Sequence, residues 1–383
     1  MKNRSLHFWI IATSVIMTII SLVLHFSTLP DRMTAFERLA QIVEYHHVDE
    51  TFSQRPVTTF LIKSVSSILS IGIGKAFVLV NFGFLLLSGY LVGFLSSYFN
   101  KSNLASILNV VLFFLTFSNF FIFFDPIYTY DEPIQYTFIL LSMIALNRNR
   151  FIWFSLCFGM AMITKETSVI LLPGLYLLYT QLNKGNAYKG NYLRLAFVAP
   201  LIIYSLYLGW YCSFESNLKV TSRLNLVKYN FQDLQHAIES IVSFLLVVAI
   251  GIYSSLRVPV SKLTSQLNIF RKAFIVTLIM NTLLVFFMAY ARESRLFALP
   301  LFFVWPILSR LVLHESFTWR LHTDLKTLTL LLIVVLIGVG VYLGITEIYN
   351  PVIGSGAGGW FHFYFAILVS FIVFDVFFKK EMR

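Results

Sequence analysis

The run FIWFSLCFGMAMITKETSVILLPGLYLLYT, residues 151–180, is apolar throughout except at Thr164-Lys165-Glu166-Thr167, and the reading of that interruption decides the fold. A helix needs about 20 apolar residues to cross the hydrocarbon core. The interruption therefore leaves two pieces, 151–163 and 168–181, each too short for an ordinary span. A third short piece, 133–147, precedes them behind Asp131-Glu132-Pro133. Short helices are tolerated at membrane depth where their ends meet protein or a water-filled cavity, so residues 133–181 are expected to be broken helices grouped around such a cavity.

Outward from this segment the apolar runs lengthen: 6–29, 76–99, 104–124, 195–212, 237–256, 273–290, 296–313, 327–345 and 361–378. With the short pieces they predict an all-α polytopic transmembrane bundle of about 11–13 membrane helices, one integral membrane domain over residues 1–383. Composition agrees. The chain is 58% hydrophobic with only 12% charged residues, against about 25% charged in soluble domains. The first run follows Lys2 and Arg4, is too long for a signal-peptide core, and leads into Ser27-Thr28-Leu29-Pro30 without a small-x-small cleavage site; it is expected to remain as the first span. Residues 57–71 repeat apolar side chains at helical spacing around Lys63, Ser64, Ser66 and Ser67, a pattern that suits a helix lying on the membrane surface. Segment 30–75 is thus read as a first outer loop and a surface helix.

The net charge of +11 follows from topology. With the N-terminus inside, the inner loops collect 18 of the 29 Lys and Arg residues, from Lys2 and Arg4 to Lys379, Lys380 and Arg383, as the positive-inside bias requires. Both termini are then cytoplasmic in a multi-pass plasma-membrane protein, and the simple topology suits a bacterial inner membrane. No nucleic-acid partner is needed. Of the 18 acids, 14 fall outside. Acids contribute little to orientation, so this excess calls for a functional explanation.

Ionisable side chains at membrane depth are costly and usually face a cavity or a partner. Lys165-Glu166 reads either as a hairpin turn whose charges neutralise each other, or as a cation for a phosphate with a carboxylate that positions it. Arg292 and Arg295 share a face if helical, and two guanidiniums there suit bidentate capture of phosphate oxygens; the alternative is a turn with Glu293 as counterion. Asp131-Glu132-Pro133 is equally a polar helix start, since acids and Pro favour the first turn. In the first outer loop Asp31, Glu37, Glu44, Asp49 and Glu50 are candidate general bases for a hydroxyl acceptor, and Asp31 is held near the membrane by the preceding span. His46-His47 lacks a third ligand at metal spacing, and Cys157 and Cys212 build no disulfide or metal pattern. No cofactor is required; a divalent cation stays open.

In order along the chain, Asp31, Gln54-Arg55-Pro56, Tyr130-Asp131-Glu132-Pro133, Thr164-Lys165-Glu166 and Arg292-Glu293-Ser294-Arg295-Leu296-Phe297 resemble the GT-C class of polytopic glycosyltransferases. The resemblance covers most of residues 1–313 and rests on the order of the features. It implies transfer of a sugar from a polyprenyl-phosphate carrier, as in mannosyltransferase-like enzymes, to a glycan, lipid or protein acceptor at the outer face. It carries the catalytic carboxylate onto Asp31, a second acidic position onto Asp131, and lipid-phosphate contacts onto Lys165, Arg292 and Arg295. Glu166 and Arg55 stand in the same substrate-binding set. A transporter or flippase for lipid-linked sugars is the first alternative, since interrupted helices also mark transporters, usually paired between two halves; residues 230–378 hold no counterpart of 133–181. A glycan polymerase is the second.

Overall fold

The computed structural model describes residues 2–27, 32–100, 102–120, 122, 130–182, 190–214, 226–258, 264–291, 293–312, 325–348 and 358–381, and every regular element among them is helical. Helix α1 (Lys2–Ser27) is followed by α2 (Arg32–Val48), α3 (Glu50–Ser53), α4 (Pro56–Leu69), α5 (Ile73–Phe99), α6 (Asn103–Phe114) and α7 (Phe117–Phe120). The interrupted segment gives α8 (Glu132–Asn147), α9 (Phe151–Thr164) and α10 (Leu171–Leu182), with a 3-10 turn, Glu166–Ile170, between the last two. Beyond them lie α11 (Gly190–Phe214), α12 (Leu226–Asn230), α13 (Leu234–Arg257), α14 (Ser265–Met288), α15 (Leu308–Val312), α16 (Leu325–Ile348) and α17 (Gly358–Glu381).

Among the described residues five helical stretches are long and apolar enough to cross a membrane: Ser5–Ser27, Ile73–Phe99, Tyr192–Ser213, Leu234–Arg257 and Ser265–Met288. Their outward faces agree with that use. Phe8, Trp9, Ile16 and Val23 of α1 and Leu195, Leu206 and Trp210 of α11 are more than half exposed. Each such face costs about 25 cal/mol per Å² in water, and hydrocarbon removes that cost.

Helix α5 is the hub, packed against α1, α2, α4, α6 and α8. Gly89 and Gly93 set a small-xxx-small spacing on it that lets neighbouring backbones approach; a Cβ at Gly93 would meet Ile10 Cγ2 and Val110 Cγ2 at 2.7 Å. At Gly74 a Cβ would stand 2.0 Å from the Phe36 carbonyl oxygen, so α2 lies on α5 where only glycine admits it.

Three segments differ from the sequence reading. The segment read as a first outer loop is helical over α2 and α3. The run 104–124 breaks at Leu115-Thr116 between α6 and α7. The run 296–313, expected as one helix, is a chain of 3-10 turns, Ser294–Phe297, Leu299–Phe303 and Trp305–Ile307, ending in the short α15. Pro300 and Pro306 explain it, because each removes a backbone donor and clashes with the turn before it. A polar knot repairs the break. The Pro306 carbonyl accepts from Asn100 Nδ2 at 2.9 Å and Asn109 Nδ2 at 2.8 Å, and Asn109 Oδ1 accepts from the Ser309 N–H at 2.7 Å. Asn109 is fully buried. Asn109→Leu is expected to cost about 2 kcal/mol by orphaning the Ser309 N–H; an unchanged thermal transition in detergent would show that the knot contributes nothing.

Candidate functional site

Four separate segments bring seven ionisable side chains together: Arg55 ahead of α4, Asp131 and Glu132 at the start of α8, Lys165 and Glu166 after α9, and Glu293 and Arg295 after α14. Local sequence sets each position. Pro56 and Pro133 open α4 and α8 within their first turns, where a missing N–H goes unneeded. Lys165, at φ −157° and ψ 115°, leaves the helical region and ends α9.

Glu132 is the hub of the cluster. Its Oε1 accepts from Lys165 Nζ at 2.5 Å and lies 3.2 Å from Arg295 Nε. Arg295 Nη2 also donates to Glu293 Oε2 at 3.3 Å. The Arg55 guanidinium grips Glu166 with two donors, Nε to Oε2 at 2.7 Å and Nη2 to Oε1. The ion pairs are enclosed: Asp131 is 0% exposed, Glu132 and Lys165 2%, Arg55 and Arg295 6%, and Glu293 7%. Burial raises the Glu293 carboxyl against the pull of Arg295 and Lys165.

Asp131 stands apart. It occupies the cap position of α8, yet its side chain does not cap the helix. Neither carboxylate oxygen makes a hydrogen bond of normal geometry among the described residues, and neither does the buried Thr58 hydroxyl. Thr58 is still close enough to favour the ionised carboxylate. Burial pushes Asp131 up to about 6, while Arg55 and Lys165 pull it down and Glu132 adds to the rise.

Aromatic and hydroxyl contacts hold the frame. Tyr130, next to Asp131, shares a hydrogen bond with Thr59 at 2.8 Å, and the His46 ring stacks between Phe52 at 4.3 Å and Tyr130 at 4.2 Å. Gln135 Nε2 donates to Ser168 Oγ at 2.8 Å, tying α8 to the 3-10 turn. From α11, the Tyr207 hydroxyl donates to the Gln54 carbonyl at 2.7 Å, and the Tyr211 and Ser53 hydroxyls pair at 2.6 Å.

The structure thus gathers Arg55, Asp131, Lys165, Glu166 and Arg295. Asp31 and Arg292 lie outside the described residues. Sequence reasoning passed over Glu132, because a helix dipole already accounts for an acid in the first turn. It also passed over Thr58, since Thr58-Thr59 at a helix head carries no chemical signature alone, and it weighed His46-His47 only as a metal pair, whereas His46 is buried at 1% exposure. Among the described residues no three His, Cys, Asp or Glu side chains group as metal ligands. Set beside protein-family models, curated proteins and solved structures, the chain matches none of them.

Proposed function

We propose that the chain is a polytopic membrane glycosyltransferase of the GT-C kind, taking a sugar from a polyprenyl-phosphate carrier at the outer face of a plasma membrane. The observation that carries this reading is the buried charge cluster with one carboxylate, Asp131, that Arg55 and Lys165 attract without a direct ion pair among the described residues. Buried charges are normally ion-paired, so a buried carboxylate without a direct cation, its pKa raised by burial, is a candidate for chemistry. On the sequence count of about twelve crossings, residues 55, 131–132, 165–166 and 293–295 fall on the same side of the membrane.

In this reading Asp131 accepts the proton of an acceptor hydroxyl. The hydroxyl oxygen bonds to the anomeric carbon as the bond from that carbon to the phosphate oxygen breaks, and the electron pair leaves on the phosphate. Arg55, with Lys165 behind it, stabilises the charge that gathers there. The hydrophobic tail of such a donor stays in the bilayer beside the cluster.

Mass spectrometry of lipids that co-purify with the protein tests the reading. A polyprenyl-phosphate glycoside is expected with the wild type, enriched in Asp131→Asn, which binds without turnover, and lost from Arg55→Ala. Bulk phospholipid alone in all three preparations would remove the reading.

A further inference from the structure

Resting on that functional reading, we infer that Glu166 is an exchangeable placeholder for a phosphate group on Arg55, so that the ligand anion and the Glu166 carboxylate compete for one guanidinium fork. The fork presents its Nε and Nη2 donors in parallel to the two oxygens of Glu166. Phosphate oxygens satisfy the same bidentate geometry. Of the ion-paired carboxylates in the cluster, Glu166 is the one with a solvated alternative. Its side chain is 24% exposed, against 2% for Glu132 and 5% for Glu293. Displacing Glu132 would strip Lys165 and Arg295 of a shared buried partner at once. Displacing Glu166 leaves its carboxylate at the surface, where desolvation no longer penalises it.

Position supports the exchange. Glu166 opens a 3-10 turn of five residues whose preceding residue, Lys165, is in extended backbone, so the side chain rides on a short connector rather than mid-helix. Arg55, by contrast, is fixed from behind: Tyr207 and Tyr211 hold the Gln54 carbonyl and Ser53, and Pro56 locks the next backbone angle. The guanidinium stays and the carboxylate leaves. The apo state would then keep a buried cation paired, and would keep other anions off it until a phosphate of sufficient affinity arrives.

The test measures binding of undecaprenyl phosphate, of inorganic pyrophosphate and of uncharged undecaprenol to the purified full-length protein by native mass spectrometry, in wild type, Glu166→Gln and Arg55→Gln. The placeholder role requires Glu166→Gln to bind the phosphate probes about tenfold more tightly than wild type, and Arg55→Gln to bind them least, with undecaprenol unaffected. Tighter binding of undecaprenyl phosphate alone assigns the subsite to a lipid headgroup; tighter binding of both probes assigns it to phosphate in general. Equal or weaker binding by Glu166→Gln, with clear binding by wild type, overturns the inference and leaves the functional reading standing. Failure of every variant to bind either phosphate counts against both.

Discussion

Arg295→Met is expected to lose about 3–5 kcal/mol of stability, the cost of breaking a buried ion pair by removing one partner. Arg295 lies between two enclosed carboxylates, 3.2 Å from Glu132 and 3.3 Å from Glu293. Without it Glu132 loses one of its cations while keeping Lys165, and Glu293 loses the largest of the charges that oppose its desolvation. The read-out is the thermal transition of purified protein in detergent, with the amount of monodisperse protein recovered. The double variant Arg295→Met/Glu293→Gln should regain part of the loss, because it removes the Glu293 charge that Arg295 no longer opposes, and residues in direct contact are expected to couple by roughly 0.5–3 kcal/mol. A single variant as stable as wild type would mean that water reaches these carboxylates and the pairing is not structural. The sequence reading put Arg295 on a phosphate-binding face; the structure turns its guanidinium inward. Lost activity in an Arg295 variant is therefore no evidence of a phosphate contact until its fold has been measured.

The helices were legible because the hydrophobic runs are long and their ends are punctuated. Asp131-Glu132-Pro133 marks the start of α8 and Lys165 the end of α9 within a residue, whereas α10 begins only at Leu171, after a 3-10 turn. Proline was the signal underweighted: Pro300 and Pro306 sit in a run whose hydropathy alone says helix, yet each deletes a donor, and the chain turns to 3-10 geometry repaired by Asn100 and Asn109. The cluster was legible only in its membership. Residue types announced that Arg55, Asp131, Lys165 and Arg295 are costly in an apolar setting. Which carboxylate neutralises which cation depends on interhelical geometry that no spacing encodes. Glu132, rather than Asp131, takes Lys165 and Arg295 as direct ion-pair partners.

Asp131→Asn is expected to make the protein more stable above neutral pH while abolishing transfer. Burial raises the Asp131 carboxyl to about 6 from an ordinary value of 3.8. Below pH 4, roughly, the group is protonated both folded and unfolded, and folding carries no charge penalty. Between about 4 and 6 the unfolded chain ionises while the folded one holds its proton, so stability falls as pH rises. Above about 6 both are ionised and the penalty is constant, about 3 kcal/mol for a shift of this size. Asparagine carries no charge at any of these pH values, but its amide also lacks partners, so the gain at pH 8 is expected near 2 kcal/mol, shrinking towards zero at pH 4. Paired denaturation curves of wild type and variant at pH 4, 6 and 8 read the difference directly. A variant less stable than wild type at pH 8 would mean that Arg55 and Lys165 hold Asp131 as a stabilising anion, and the proton-accepting role would pass from it. A more stable variant without transferase activity is what a residue kept for chemistry produces, since selection accepts its cost to folding only where function needs the charge.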